Sequence, residues 1–149
     1  MACMPVGIKK NNILIQQKII YLPPFHRGFH LITDLIEKEL GELPETGMVN
    51  LLIQHTSAAL TINENADHDV RIDMENFINK LIPENLPIYN HILEGADDMP
   101  AHIKSSIFGA SLTIPVTNHQ LNLGTWQGIY LCEFRNRGGI RRIVSTIFS

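Results

Sequence analysis

His55, Thr56 and Ser57 directly follow a short apolar run from Met48 to Ile53. Such a run predicts a buried strand, and functional groups are often found where a rigid strand passes into a loop. A neutral imidazole at this position can bind a metal ion or carry a proton. The ordinary alternative is a histidine whose ring is satisfied by a backbone carbonyl. His55 is therefore a candidate site residue, with Thr56 and Ser57 beside it.

A second polar group surrounds a predicted helix start, where Asp97 and Asp98 precede Pro100 and His102 follows it. Proline suits the first turn of a helix, so one helix N-terminus would gather the carboxylates and the imidazole. These groups can converge on one cation. Three further side chains on the helix could serve an anion beside it: Lys104, Ser105 and Ser106. Helix-capping acids with an exposed histidine are the alternative.

The chain's single tryptophan, Trp126, lies between Gly124 and Gly128. A tryptophan in a glycine-rich turn can wall a pocket and stack on a ring, or it can simply belong to the core. In the strand predicted after it, Glu133 and Arg135 share a face because side chains alternate with a period of two. They are either an ion pair in a cleft or a surface pair.

Several familiar site patterns are absent from the sequence. His26 and His30 have the i,i+4 spacing of a zinc-binding helix, but the acidic residue of an HExxH motif is missing and Gly28 interrupts the turn. Phosphate-binding glycine loops and the GxSxG nucleophile turn are also missing. Cys132, in the middle of a predicted strand, is expected to be a packed apolar residue and not a nucleophile.

Composition restricts the class of protein. The 149 residues are 44% hydrophobic, enough for one packed core. A net charge of -3 argues against sequence-independent binding to nucleic acid, although four arginines cluster near the C-terminus: Arg135, Arg137, Arg141 and Arg142. The two cysteines cannot form a disulfide framework, and no export signal or membrane span is recognisable. The expected location is the cytoplasm, with no membrane or nucleic-acid partner.

Hydrophobic periodicity predicts how the elements follow one another. Strands are expected at residues 12–22, 48–53, 59–62, 111–116, 121–123, 129–135 and 140–148, and helices at 28–40, 67–82 and 101–108. Gly138-Gly139 is predicted to be a hairpin turn, and residues 83–100 an irregular linker. Because the strands come in runs, the pattern favours a single α+β domain over residues 1–149 with largely antiparallel sheets and segregated helices. Residues 1–11 are expected to be a flexible N-terminus.

Three long segments resemble the signature sequences of the YjbQ-like (UPF0047) family. They are HTSAALTINENADHDVRIDME from His55, EGADDMPAHIKSSIFGASLTIPV from Glu94, and LGTWQGIYLCEFRNRGG from Leu123. The resemblance implies a sandwich-like α+β domain that assembles as a homotrimer. It also implies a shared polar cleft containing His55, His102 and the loop that carries Asp97 and Asp98.

Some proteins of this family are named secondary thiamine-phosphate synthases, and the resemblance implies that weak activity here. The reaction joins a pyrimidine diphosphate to a thiazole phosphate and releases pyrophosphate. The implied cationic clamp on the pyrophosphate, which acts beside His55 and His102, is Lys104, Arg135 and Arg141. A divalent metal would be held by His55 and His102 with a carboxylate from Asp97, Asp98 or Glu133. The implied ligand pocket is Thr56, Ser57, Asn63 and Trp126.

Two questions stay open at the level of sequence. Two imidazoles and a carboxylate indicate zinc or another transition metal, whereas pyrophosphate chemistry favours magnesium. The site could serve a transferase that takes a small phosphorylated metabolite. The alternative is a non-catalytic homotrimeric module that binds a metal or a small anion.

Overall fold

Two antiparallel sheets form the framework of the protein in a computed structural model that describes residues 14–149. The larger sheet contains β1 (Ile15–Leu22), β3 (Thr46–Ile53), β5 (Ser111–Thr117), β6 (Gln120–Leu121) and β8 (Arg141–Phe148), in the order β1-β8-β3-β5-β6. The smaller sheet contains β2 (Gly28–Leu31), β4 (Ala58–Glu64) and β7 (Gln127–Glu133), in the order β2-β7-β4. The predicted flexible residues 1–11, and Cys3 among them, lie outside the described part of the chain.

The main core lies between the two sheets. In β3, Val49, Leu51 and Ile53 are buried while Met48 and Leu52 are exposed, the alternation expected when one face of a strand meets a core. The inner residues of β7 and β8, such as Leu131 and Ile143, complete the same cluster from the two sheets. The predicted sandwich arrangement is therefore confirmed.

Two of the three helices in the described chain cover the other face of the smaller sheet. The helices are α1 (Thr33–Leu40), α2 (His68–Leu81) and α3 (Asp98–Phe108). A second apolar cluster joins Ile78 of α2 and Ala101 of α3 to Tyr130 and Cys132 of β7, so β7 is buried on both faces. The layers are thus large sheet, small sheet and helices. None of the helices in residues 14–149 has the length and apolar character needed to span a membrane.

The helix predicted from Gly28 to Leu40 is wrong in its first part. Gly28–Leu31 is strand β2, which pairs with β7, and the helix begins only at Thr33. Phe29 and Leu31 both pack in the cluster beneath the helices, which is the period of two of a strand and not the helical period. Tertiary pairing with β7 thus decides the conformation of this segment.

The hairpin predicted at Gly138-Gly139 is also wrong, because the strands on either side belong to different sheets. The segment carries the chain from β7 in the small sheet to β8 in the large one. Gly138 allows a close approach here: a Cβ atom at this position would lie 2.3 Å from Oε2 of Glu133. The crossing therefore passes directly over a buried carboxylate.

Candidate metal centre and cleft

Three side chains at the start of α3 form a group that can hold a metal ion. Asp98 and His102 are four residues apart on α3 and so share a face, and His91 comes from the preceding loop. Oδ2 of Asp98 lies 2.7 Å from Nε2 of His91 and 3.2 Å from Nε2 of His102. The candidate ligand atoms all lie within 4.8 Å of one another. We call these three residues the His91 group.

The hydrogen bonds of His102 determine which ring nitrogen faces the group. Nδ1 of His102 lies 2.9 Å from the backbone oxygen of Thr56, and a carbonyl oxygen can only accept, so Nδ1 carries the proton. In the neutral ring Nε2 then presents a lone pair to the Asp98 carboxylate. Two lone pairs facing each other at 3.2 Å require a cation between them, either a proton or a metal ion. Histidine ligands commonly donate their second N–H to a carbonyl in this way.

Arg135 fixes the other oxygen of Asp98 and the loop before it. Its Nη1 donates to Oδ1 of Asp98, and its Nε donates to Oδ2 of Asp97 at 3.0 Å. Its Nη2 donates to the backbone oxygen of Glu94 at 2.9 Å. Burial raises the pKa of Asp97, but the bonds from the Asn136 amide and from Arg135 outweigh it and leave that pKa below its ordinary value. Arg135 and Asp97 therefore position the group and are not open to a ligand.

His55 lies on the far side of the cleft and is held by the start of β8. Its Nε2 accepts a hydrogen bond from the Arg142 backbone N–H at 2.9 Å, and its Nδ1 lies 3.3 Å from Nη1 of Arg141. Burial lowers the pKa of His55, and the positive charges of Arg141 and Arg142 lower it further. His55 is thus a neutral imidazole whose lone pair is already engaged, and it is not a member of the His91 group.

Glu133 and Arg141 form a buried ion pair between the two sheets. Nε and Nη2 of Arg141 donate to the two carboxylate oxygens of Glu133 at 2.7 and 2.6 Å, in the two-pronged geometry that binds carboxylates strongly. The Arg135 backbone N–H also donates to Glu133, and Nη2 of Arg141 lies 3.1 Å from Oγ of Ser57. Because these partners use both side chains, Glu133 is not available as a metal ligand and Arg141 is not available to a ligand anion.

A cleft of about 610 Å³ brings together several residues that the sequence predicts to be site residues. It is lined by His55, Thr56, Ala58, His102, Ser105, Ser106, Gly109 and Ala110. Oγ of Ser105 donates to the backbone oxygen of Thr56 at 2.6 Å, which ties α3 to the end of the loop after β3. His55, Thr56 and His102 thus share one cleft, with Ser57 behind it against Arg141.

Other predicted site residues lie elsewhere. Lys104 points from α3 towards α2, where its Nζ donates to Oδ1 of Asn79 at 2.6 Å, and burial lowers the pKa of Lys104 to about 8. Asn63 and Trp126 line a separate cavity of about 520 Å³. Strand β4 separates the two sites, because Ala58 at its start lies in the cleft while Asn63, near its far end, is about 16 Å away at about 3.3 Å per residue.

His91 is the residue that sequence reasoning missed. It belongs to the segment predicted to be an irregular linker, where no helix or strand period indicates which way a side chain points. The spacing in the sequence does point to it. Intervals of three and four residues, which place side chains on one face of a helix, separate His91, Glu94, Asp98 and His102. In the structure Oε2 of Glu94 lies 3.1 Å from Nε2 of His91, at the exposed side of the group.

Comparison with known proteins agrees with this architecture. The family described as "UPF0047 protein YjbQ-like" matches residues 18–149. The UPF0047 protein YjbQ of Salmonella typhimurium is 55% identical over 133 residues, which are 88% of this chain and 96% of that protein. The UPF0047 protein YugU of Bacillus subtilis is 46% identical over 105 residues, 68% of this chain and 77% of that protein.

Solved structures show the same fold. A conserved hypothetical protein from Thermus thermophilus has a TM-score of 0.75 and 34% identity, and the match covers 85% of this chain and 97% of that one. A YbjQ-like protein of unknown function from Sulfolobus solfataricus has a TM-score of 0.80 at 24% identity, with 93% and 99% covered, and supports the fold alone. On the strength of the family match over most of its length, the chain belongs to the UPF0047 family of YjbQ-like proteins.

Proposed function

We propose that this protein binds one divalent metal ion at the His91 group and presents it to a small phosphorylated metabolite in the neighbouring cleft. The observation that carries the proposal is the ring of His102, whose Nε2 lone pair is directed at the Asp98 carboxylate. A metal ion between them would replace the proton that this arrangement otherwise requires. The cleft lined by His102 gives such an ion access to a ligand.

The donor set favours zinc or another transition metal over magnesium. Two imidazoles and one carboxylate are borderline ligands, whereas magnesium is usually bound by oxygen atoms and water. Three protein ligands also leave a position for a substrate, which is the pattern of catalytic sites. When bound, the metal would supply Lewis-acid stabilisation of negative charge on a substrate oxygen. The exposed Glu94 would close that position if it acted as a fourth ligand.

The residues around the group have defined parts in this proposal. Arg135 holds Asp98 through Oδ1 and leaves Oδ2 for the metal. The Thr56 carbonyl fixes the ring of His102, and loss of such supporting bonds typically costs about 10–100-fold in metal affinity. The neutral ring of His55 lines the cleft from the other side. Ser106, four residues after His102 on α3, also lines the cleft, and its hydroxyl donates to the His102 backbone oxygen.

The thiamine-phosphate synthase reaction is a narrower hypothesis within this proposal. It needs several cations on the departing pyrophosphate, and the three implied by the family resemblance are engaged elsewhere. Lys104 bonds to Asn79, Arg135 to two aspartates and Arg141 to Glu133. A substrate with one phosphate group, whose charge the metal can offset, therefore suits the cleft better than a pyrophosphate ester.

A homotrimer is proposed as the working assembly. The outer face of the large sheet exposes apolar side chains of β1 and β3, with exposed fractions of 57% for Ile15, 62% for Tyr21 and 44% for Met48. An exposed apolar face of this kind is typical of an interface, here with further copies of the chain. Light scattering should give three times the chain mass. An Ile19→Lys variant, which places a charge on that face, should give the mass of a single chain. A wild-type protein with the mass of a single chain would contradict the proposed assembly.

Elemental analysis of untagged protein tests the metal site. We expect close to one zinc per chain in the wild type and in His119→Asn, a matched control on an exposed histidine. We expect loss of the metal in His91→Asn and in His102→Asn. A His55→Asn variant decides whether His55, expected from the sequence to be a ligand, contributes. A wild type that takes up no metal even after reconstitution would refute the proposal.

Substrate screening then separates an enzyme from a binding module. Metal-loaded protein would be incubated with phosphate monoesters and, separately, with a pyrimidine diphosphate plus a thiazole phosphate. Turnover that disappears in His102→Asn supports the enzyme. A ligand that raises the melting temperature without forming product supports the module instead, since binding to the native state alone stabilises it.

A further inference from the structure

A second cavity lies at the edge of the small sheet, away from the His91 group. It measures about 350 Å³ and is formed by β2, the segment before it and the first turns of α2. Its polar lining consists of His26, His30, His68, Arg71 and Glu75. Cavities of about 300–1,000 Å³ are typical of small-molecule sites, so this one suits a small ligand.

The two charged residues of this cavity lack partners in the part of the chain that the structure describes. Nε of Arg71 is shielded from solvent and has no hydrogen-bond partner there. Neither Arg71 nor Glu75 takes part in an ion pair among residues 14–149. A shielded polar atom without a partner is costly, which makes Arg71 a natural point of attachment for an external acceptor.

The charge pattern of the cavity narrows the chemistry of its ligand. Arg71 and Glu75 lie four residues apart on one face of α2, with about 5–6 Å between their Cβ atoms. Their charges cancel, so a polyanion would be repelled by Glu75 and a simple cation by Arg71. Within the described residues, metal-ligand atoms gather in threes only at the His91 group, so a preformed metal site is not indicated here. A ligand with one negative and one positive group, a few ångströms apart, satisfies both residues.

The remaining walls favour an apolar body on that ligand. The ring of Phe25 lies against the ring of His30, with 4.8 Å between centroids, and Ile72 leaves 43% of its surface exposed at the rim. Nε2 of His30 donates to the backbone oxygen of His26 at 2.7 Å, so Nδ1 of the neutral ring is an acceptor. Burial is the main cause of a lowered pKa for His30, which keeps this ring neutral.

We propose that this cavity binds an α-amino acid with an apolar side chain, whose carboxylate pairs with Arg71 and whose ammonium group pairs with Glu75. The acceptor nitrogen of His30 provides a further site for the ammonium group. The apolar side chain would cover Phe25 and Ile72. This site shares no residue with the His91 group, so the proposal stands independently of the metal and of any substrate in the cleft.

Calorimetry on the full chain tests this inference with L-leucine, L-methionine and L-phenylalanine as probes. Two truncated probes accompany leucine: 4-methylpentanoate, which lacks the amino group, and 3-methylbutylamine, which lacks the carboxylate. We expect at least one amino acid to bind and each truncated probe to bind at least about 10-fold more weakly, because each leaves one charged residue unpaired. Metal-free protein, prepared with a chelator, should give the same affinities.

Matched variants locate the binding. Arg71→Gln should bind leucine and 3-methylbutylamine with equal affinity, because the carboxylate of leucine no longer has a partner. Glu75→Gln should bind leucine no more tightly than 4-methylpentanoate, because the ammonium group has lost its partner. Asp73→Asn, on the same helix and outside the cavity lining, should behave as wild type. Absence of binding by all three amino acids at about 10 mM would overturn the proposal. So would affinities unchanged in both cavity variants, or a truncated acid that binds as well as its amino acid.

Discussion

The ion pair between Glu133 and Arg141 allows a quantitative prediction about stability. The two side chains are 0% and 5% exposed, and Arg141→Met would leave the Glu133 carboxylate buried with the Arg135 backbone N–H as its remaining donor. Removal of one partner from a buried pair costs about 3–5 kcal/mol. With a typical urea dependence of about 2 kcal/mol per molar, the unfolding midpoint should fall by about 1.5–2.5 M.

Equilibrium unfolding in urea measures this loss, and a double variant separates its causes. Glu133→Leu combined with Arg141→Met leaves no uncompensated charge, so it should be more stable than Arg141→Met alone. Lys18→Met breaks an exposed pair with Glu39 and should leave the midpoint almost unchanged. A loss below about 1 kcal/mol for Arg141→Met, the value of exposed pairs, would refute the argument that this pair is shielded from water.

Two further predictions concern buried groups near the helices. Burial lowers the pKa of Lys104 to about 8, whereas a lysine in the unfolded chain titrates near 10.4. Between about pH 8 and 10.4 the unfolded chain therefore binds more protons than the folded one. The free energy of unfolding should rise with pH in this window. Urea midpoints at about pH 7.5 and 9.5 should show the rise in wild type and not in Lys104→Met. Burial also raises the pKa of the fully buried Cys132 thiol, so in a Cys3→Ser variant a thiol reagent should label Cys132 only on unfolding. Rapid labelling of the native variant would contradict this burial.

The sequence allowed much of the fold to be predicted, and the errors have a common cause. Helix α2 carries a clear helical periodicity and strand β3 is a short apolar run, and the structure has both. Strand β2 was missed because its few residues run into the pattern of α1, and only pairing with β7 identifies it. The turn at Gly138-Gly139 was misassigned because sequence proximity does not reveal which sheet a strand joins. Local hydrophobic periodicity does not show which strands pair with one another when they are far apart in the sequence.

In the candidate site, too, the features that depend on neighbouring residues could be predicted, and those that depend on distant segments could not. Asp98 and His102 could be predicted together because Pro100 indicates a helix start, and one helix N-terminus gathers the residues on either side of it. The engagement of Arg135 and Arg141 could not, since their carboxylate partners come from other segments of the chain. His91 lies in a loop without regular periodicity, so nothing local indicated where its ring would point. Side chains whose orientation depends on distant segments were therefore the least predictable part of the site.

The pairing of β1 with β8 has a consequence for how the protein is made. Ile15 lies opposite Phe148, so the first and last described strands are hydrogen-bonded neighbours in the large sheet. On the ribosome, β3 would gain its second neighbour and β1 its first only after β8 has emerged. Such non-local closure slows folding and leaves unpaired edges exposed meanwhile. Synthesis of β8 is then the step that commits the two sheets to their native topology.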